Sequence, residues 1–150
     1  MTITEVSPKE AATVIAQHED LWRAMGGTED QNVEFPEGDE FKYLECRQGN
    51  LLIGYVILHR VGERVWKAHA AFLPKHWGKK GRRLTKKAGT EAFNWAFANT
   101  DASFLLGEVP HDFPQVQHYA IRLGMRPTLR DDHQITFQVG RDEWASLTTY

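Results

Sequence analysis

Phe72-Leu73-Pro74-Lys75-His76-Trp77-Gly78-Lys79-Lys80-Gly81 is the stretch on which the fold turns. It leaves the alternating segment Val65–Phe72 and enters Arg82–Asn99, where Leu84, Ala88, Ala92 and Ala96 recur every fourth residue beside a row of Phe93 and Phe97. Alternation marks a strand. The four-residue recurrence marks a helix, and its small row lets the axis lie close to a sheet. A further strand follows at Ser103–Val109. A strand, a helix and a strand joined this way put the two strands parallel, with the helix packed on the sheet.

The chain on either side extends this unit. Thr2–Val6 reads as a first strand. Ser7 and Glu10 form a capping box around Pro8, so a helix starts there with Ala11, Val14 and Ile15 on its apolar face. His18–Met25 continues as helix until Gly26-Gly27, and Thr28–Glu40 is an acidic loop. Phe41–Arg47, Leu51–Arg60 and Val65–Phe72 make an antiparallel meander, the first turn being Gln48-Gly49-Asn50. After the parallel unit come a helix over Phe113–Leu123 stopped by Gly124, strands at Met125–Leu129 and His133–Val139, and a short helix at Arg141–Leu147. The expected class is α/β, in the α+β sense of a mixed sheet flanked by helices, in one domain spanning residues 1–150.

Composition excludes several classes. With 41% hydrophobic and 25% charged residues over 150 positions, the chain is suited to one packed core. No apolar run approaches the roughly 20 residues of a membrane span, so no membrane partner is expected. The N-terminus lacks a secretory pattern, and Cys46, the only cysteine, permits no internal disulfide. A reducing cytoplasm is therefore the expected compartment. The seven histidines show no four-residue helical pairing, so no metal site is expected.

Charge is divided along the chain. Between Arg64 and Thr90 there is no Asp or Glu, while Lys67, Lys75, Lys79, Lys80, Arg82, Arg83, Lys86 and Lys87 all fall there. From Glu19 to Glu45 nine carboxylates face only Arg23 and Lys42. One region suits a polyanion and the other a cation. The basic residues stand at a helix start, where cations oppose the dipole and unpaired N–H groups suit phosphate.

The stretch Phe72–Gly81 resembles the signature of the GNAT acyltransferases: an apolar strand end, Pro, Trp-Gly, a second Gly and a long helix. Ser103–Val109 followed by a helix ending Tyr119-Ala120-Ile121-Arg122-Leu123-Gly124-Met125 is similar to a later part of the family pattern. The short, degenerate style resembles small members from bacteriophages. The resemblance implies the GNAT fold and acetyl-CoA as acyl donor. It implies cofactor contacts from Phe72, Leu73, Trp77, Gly78, Lys79, Lys80, Gly81, Arg82 and Arg83, and transfer of the acyl group to an amine on a small molecule or a protein. Two positions depart from the pattern. Lys80 stands where the second glycine is expected, and Phe113 stands where an Asn is usual. The family's tyrosine acid falls at Ala120, one residue after Tyr119.

Acylating an amine requires its neutral form, so a base is useful at pH 7. The resemblance implies a carboxylate or histidine beside the two parallel strands, a place matched by His69 and Glu108. His111 and Asp112 follow closely, and Tyr119 is the remaining candidate acid. Each has a plainer reading: a strand histidine bonded to a carbonyl, a solvated strand-end carboxylate, a packed helix tyrosine. His76 and Trp77 are candidates to cover the pantetheine arm. Three functions stay open: an acyl-CoA-dependent N-acyltransferase, a catalytically silent protein of this fold, and a nucleic-acid binder. The last is disfavoured by the net charge of −2 and the absence of aromatics alternating with the basic run. A homodimer is also open.

Overall fold

The structure, a computed structural model, describes residues 1–148; Thr149 and Tyr150, the end of the expected domain, lie outside the described residues. Seven strands form one mixed sheet: β1 (Thr2–Val6), β2 (Phe41–Gln48), β3 (Leu51–Gly62), β4 (Val65–Phe72), β5 (Phe104–Pro110), β6 (Arg126–Arg130) and β7 (Gln134–Gly140). The helices are α1 (Pro8–Ala16), α2 (Glu19–Ala24), α3 (Arg82–Asn99), α4 (Pro114–Leu123) and α5 (Arg141–Thr148), with a single 3₁₀ turn at Pro74–His76. Most expected bounds hold within two residues. Among the described residues no helix is long and apolar enough to cross a membrane.

The expected caps are present. Ser7 accepts from the Glu10 N–H at 3.0 Å, and Gly124 ends α4 at φ +101°. The spatial order, β1-β2-β3-β4-β5-β7-β6, inserts the last strand between its two predecessors. Nothing in the alternation of β6 and β7 specified that exchange.

Each face of the sheet has its own core. Strand residues Leu44, Val56, Leu58, Trp66 and Leu105 pack with Ala88, Ala92, Phe93 and Ala96 of α3. Trp144 of α5 joins this side against Phe93, with ring centroids 5.3 Å apart. Arg141 closes the C-terminal end of α3 by donating to the carbonyls of Phe97 (2.5 Å) and Ala102 (2.7 Å), the end where a cation is favoured. On the opposite face Tyr43, Leu52, Tyr55 and Leu73 pack with Ala11, Ile15 and Leu21 of α1 and α2.

The feature that positions the site is a gap. β4 is paired with β3 from Val65 to Phe72, and β5 is paired with β7 along its length. The parallel partners β4 and β5 share only three register positions, Val65↔Phe104, Trp66↔Leu105 and Lys67↔Leu106. Beyond Lys67 and Leu106 the two wings of the sheet diverge, leaving β4 from Ala68 to Phe72 and β5 from Gly107 to Pro110 without each other.

Candidate active site

The gap opens into a cleft of about 850 Å³, the size of a cofactor or drug-sized ligand site. Its walls come from both faces of the sheet. Ile57, His69 and Ala71 belong to the α1/α2 face, with Ala24 and Met25 from the end of α2. Phe72, Thr85 and Tyr119 belong to the α3/α4 face. The cleft therefore passes through the sheet between β4 and β5. No Asp or Glu lines it, whereas Arg82, Arg122, His69 and His118 do.

One mouth is the turn between β4 and α3. Gly78 lines the cleft and sits at φ +82°, with open space where a Cβ would point. Gly81 is needed for a different reason: a Cβ there would stand 1.6 Å from the His76 carbonyl oxygen. This close approach lets the turn fold tightly under the start of α3, whose cap is Gly81 and which has no side-chain capping hydrogen bond. The first N–H groups of α3 thus face the mouth with the dipole's positive end behind them. The second glycine, one place later than the family spacing, serves packing within the turn.

The nine expected cofactor residues divide by location. Phe72, Trp77, Gly78 and Arg82 line the cleft. Trp77 is 55% exposed, and its indole N–H is fixed by donation to the Phe72 carbonyl at 3.0 Å. Lys79, Lys80 and Arg83 are exposed beside the mouth but not in the cleft wall. Leu73 offers no side chain to the cleft: it is 2% exposed and belongs to the α1/α2 core, so any contact there comes from its backbone. His76 is likewise no cover for a ligand arm, because it is buried with Nε2 3.1 Å from the Leu52 carbonyl.

The other mouth carries the titratable groups. His69 and Glu108 each stand two residues beyond the last paired position of their strand, on either side of the opening. Glu108 is paired with the Lys67 ammonium at 2.8 Å. That hydrogen bond holds its carboxyl below the usual carboxylate range, which makes it a weak base and a fixed negative charge. Crowding of His69 by the surrounding protein lowers its pKa below the ordinary imidazole value, and the Lys67 charge acts the same way against Glu108. The imidazole is therefore neutral at pH 7, the form that accepts a proton. His111 is turned elsewhere, with Nε2 2.7 Å from the Asp131 carbonyl.

Tyr119 lines the cleft, yet its hydroxyl donates to the Thr85 carbonyl at 2.7 Å and its burial pushes the phenol far above its ordinary value. It packs edge-on against Phe72, with centroids 5.8 Å apart. A phenol so engaged is a poor proton donor. The sequence reading missed Gln115, His118 and Arg122, which share a cleft-facing row of α4 with Tyr119. Their spacing of three and four residues was visible, but a polar row on a helix ordinarily reads as a solvated face.

The acidic segment between α2 and β2 lies on the His69 face. Val33 and Phe35 pack on the α1/α2 core, and the Tyr43 hydroxyl donates to the Pro36 carbonyl at 2.7 Å. Its far end joins Phe41, stacked on His59 with centroids 4.3 Å apart, and His59 is the register partner of Lys67. Arg23 of α2 pairs with Glu19 at 2.6 Å and also with Glu29. Glu34, Glu37, Asp39 and Glu40 remain exposed on that side.

No protein-family model and no curated protein matches this chain. Solved structures do. A point variant of the spermidine N-acetyltransferase SpeG from Vibrio cholerae superposes with a TM-score of 0.75 at 12% identity, covering 99% of each chain. The same enzyme in complex with CoA and spermine gives 0.71 at 13% identity, over 96% of this chain and 97% of that one. The N-acetyltransferase PseH from Campylobacter jejuni gives 0.63 at 10% identity, over 93% and 97%. The fold is that of the GNAT acetyltransferases.

Proposed function

We propose that the protein is an acyl-CoA-dependent N-acyltransferase that moves an acetyl group to an amine. The observation that carries this reading is the acid-free cleft through the divided sheet. One mouth is built for a polyanion, and the other holds a neutral imidazole. The residues fit acetyl-CoA: the uncapped start of α3 with Gly78 and Arg82 suits a diphosphate, and the apolar passage along Phe72, Ala70 and Ala71 suits an arm that ends in a thioester. The similar structures are named as N-acetyltransferases, and one holds CoA and spermine, which supports the same reading.

Bound acetyl-CoA supplies a thioester whose carbonyl carbon an amine nitrogen attacks, breaking the C–S bond. The chain's own part is proton handling and placement. His69 takes the proton that the amine nitrogen loses as its bond to carbon forms. Glu108 stays ionised beside it and stabilises the imidazolium, while its pairing with Lys67 offsets that ammonium's charge. The departing sulfur is a good leaving group, since a thiol pKa lies near about 8.5. It needs only the proton held by His69 or one from water, so the engagement of Tyr119 with Thr85 does not bar turnover. A thermal-shift titration tests the reading most directly. CoA and acetyl-CoA should raise the melting temperature in a salt-sensitive way, whereas a short DNA should not. Calorimetry showing no heat with millimolar acetyl-CoA would overturn it. Tight binding with no turnover on any amine would leave a silent binding protein of this fold.

The acceptor that suits the His69 mouth is cationic. Exposed carboxylates on that side attract a polyamine or a lysine-rich segment and speed its encounter. Replacing Glu37, Asp39 and Glu40 together with their amides should raise the acceptor KM and weaken its salt dependence, with CoA affinity nearly unchanged. Steady-state kinetics with spermidine as a probe measure this, and an unchanged KM would return the segment to a plain solvated loop.

A further inference from the structure

A cation stands at the mouth that receives the acceptor. Lys67, His69 and Ala71 alternate along β4 and so share the α1/α2 face. On β5, Leu105 and Val109 point into the α3 core, which turns Glu108 to the face that His69 occupies. The Lys67 ammonium closes on the Glu108 carboxylate at 2.8 Å, and both side chains keep some access to solvent, 21% and 31%. Among the ion pairs of the described residues it is the one that bridges β4 and β5 past their last rung. The charged and titratable groups around His69 are few. Lys67 and Glu108 flank it, and His59 approaches from β3. Arg82 of α3 and His118 and Arg122 of α4 share the cleft, while α2 brings only Ala24 and Met25 to the wall.

An amine attacks only when neutral, yet an alkylamine with a pKa near about 10.4 arrives at pH 7 as an ammonium. A bare carboxylate beside the base would bind that ammonium and raise its pKa, stabilising the complex before reaction rather than the transition state. We infer that Lys67 is a positioning residue that occupies Glu108, so that the acceptor amine is not held at the mouth as an unreactive ammonium. The inference rests on the N-acyltransferase reading above and adds to it the residue that sets the acceptor's charge state at the point of transfer. Two sets of carboxylates then have separate tasks. The exposed Glu37, Asp39 and Glu40 gather a cationic acceptor from solvent, while the occupied Glu108 leaves the reacting nitrogen free to give its proton to His69. The same arrangement keeps the base ready: crowding lowers the His69 pKa, the Lys67 charge adds to that, and Glu108 opposes both. The plainer role for Lys67, a clip across the seam, needs no charge, because an apolar pair of similar volume closes such a place at least as well.

Steady-state kinetics at saturating acetyl-CoA, with spermidine and with butylamine, on wild type, K67M and K67R, test this. K67M frees Glu108. The KM for both amines should fall by about tenfold, the value of one charge-assisted contact. The kcat should fall with it, because the tighter complex holds the amine protonated. The acid limb of kcat/KM should move to higher pH, since His69 loses the cation and keeps the carboxylate. K67R retains both charge and pairing and should return KM and the limb close to wild type. A clip without a charge role gives a different pattern, a lower melting temperature and a lower kcat with KM and the limb unmoved, and that outcome overturns the inference. A KM that falls for spermidine alone overturns it as well: butylamine carries no charge besides its reacting nitrogen, so the effect would lie on the acceptor's tail. Should K67M not fold, K67Q removes the same charge and carries the same expectations. A wild type that binds acetyl-CoA and turns over neither amine overturns the N-acyltransferase reading and the inference with it, whereas an active wild type whose uncharged variants keep its KM and limb overturns the inference alone.

Discussion

His69→Ala is expected to lower kcat by at least about tenfold while acetyl-CoA still binds, since removing a general base commonly costs about 10²–10⁴ in rate. The expectation rests on where the imidazole stands: two residues past the last β4–β5 rung, facing Ile57 and Ala71, with Glu108 across the opening. Its pH signature follows from the sign of the shift. Crowding and the Lys67 charge lower the His69 pKa, so the neutral form persists to lower pH than for a free imidazole. The acid limb of kcat/KM should therefore fall off below the ordinary histidine value of about 6.5, and it should vanish in His69→Ala. Glu108→Gln leaves Lys67 unpaired beside His69, which depresses the imidazole further. That variant should lose at least about tenfold in kcat and move the limb to still lower pH. Tyr119→Phe keeps the ring and loses only a hydroxyl already given to Thr85, so it should cost under about threefold, well short of a lost acid. A large loss in Tyr119→Phe with a near-silent His69→Ala would reverse these roles.

Gly78→Asp should abolish or nearly abolish CoA binding, measured by calorimetry or by the loss of the thermal shift. Two effects add. The residue sits at φ +82°, a conformation costly for a side chain. The new carboxylate would project into open space at the mouth where the start of α3 awaits an anion, putting like charges together at short range. Because nothing stands within 4 Å of that Cβ, the variant should fold, and the loss should fall on binding. Binding equal to wild type would mean that the anion sits elsewhere, and the reading of this mouth would fail.

Much of the scaffold was legible because local rules agree with one another. The capping box at Ser7 and Glu10, the four-residue row of α3 and the αL glycine at Gly124 each specify a local geometry that tertiary packing then keeps. The placement of β7 between β5 and β6 was not legible, since alternation fixes a strand's faces and not its neighbours. The site was legible in part for the same reason. Gly78, Arg82, His69 and Glu108 were named on the likeness to the family pattern; Gly78, Arg82 and His69 line the cleft, and Glu108 stands beside it paired with Lys67. The burial of the Leu73 side chain was not legible, because an apolar residue at a strand end reads equally as ligand contact or core, and its 2% exposure comes from α1 and α2, which are distant in sequence. Gln115, His118 and Arg122 went unseen because a polar helix face gains meaning only from the wall it completes. The pairing of Lys67 with Glu108 depends on two strands 39 residues apart at Lys67↔Leu106, a register that only the fold supplies.

The three rungs between β4 and β5 also bear on how the molecule breathes. Each wing has its own continuous ladder, β1 through β4 on one side and β5, β7 and β6 on the other. The sheet seam joining them has three register positions, Val65 to Lys67 against Phe104 to Leu106, and α3 packs mainly on β1, β2 and β3 of one wing. The core on the α3 face runs through both wings, so the backbone seam is short while the side-chain packing across it is continuous. Local opening follows the boundaries between cooperative units, and hydrogen exchange at Val65–Lys67 is expected to slow when a ligand lies between the wings.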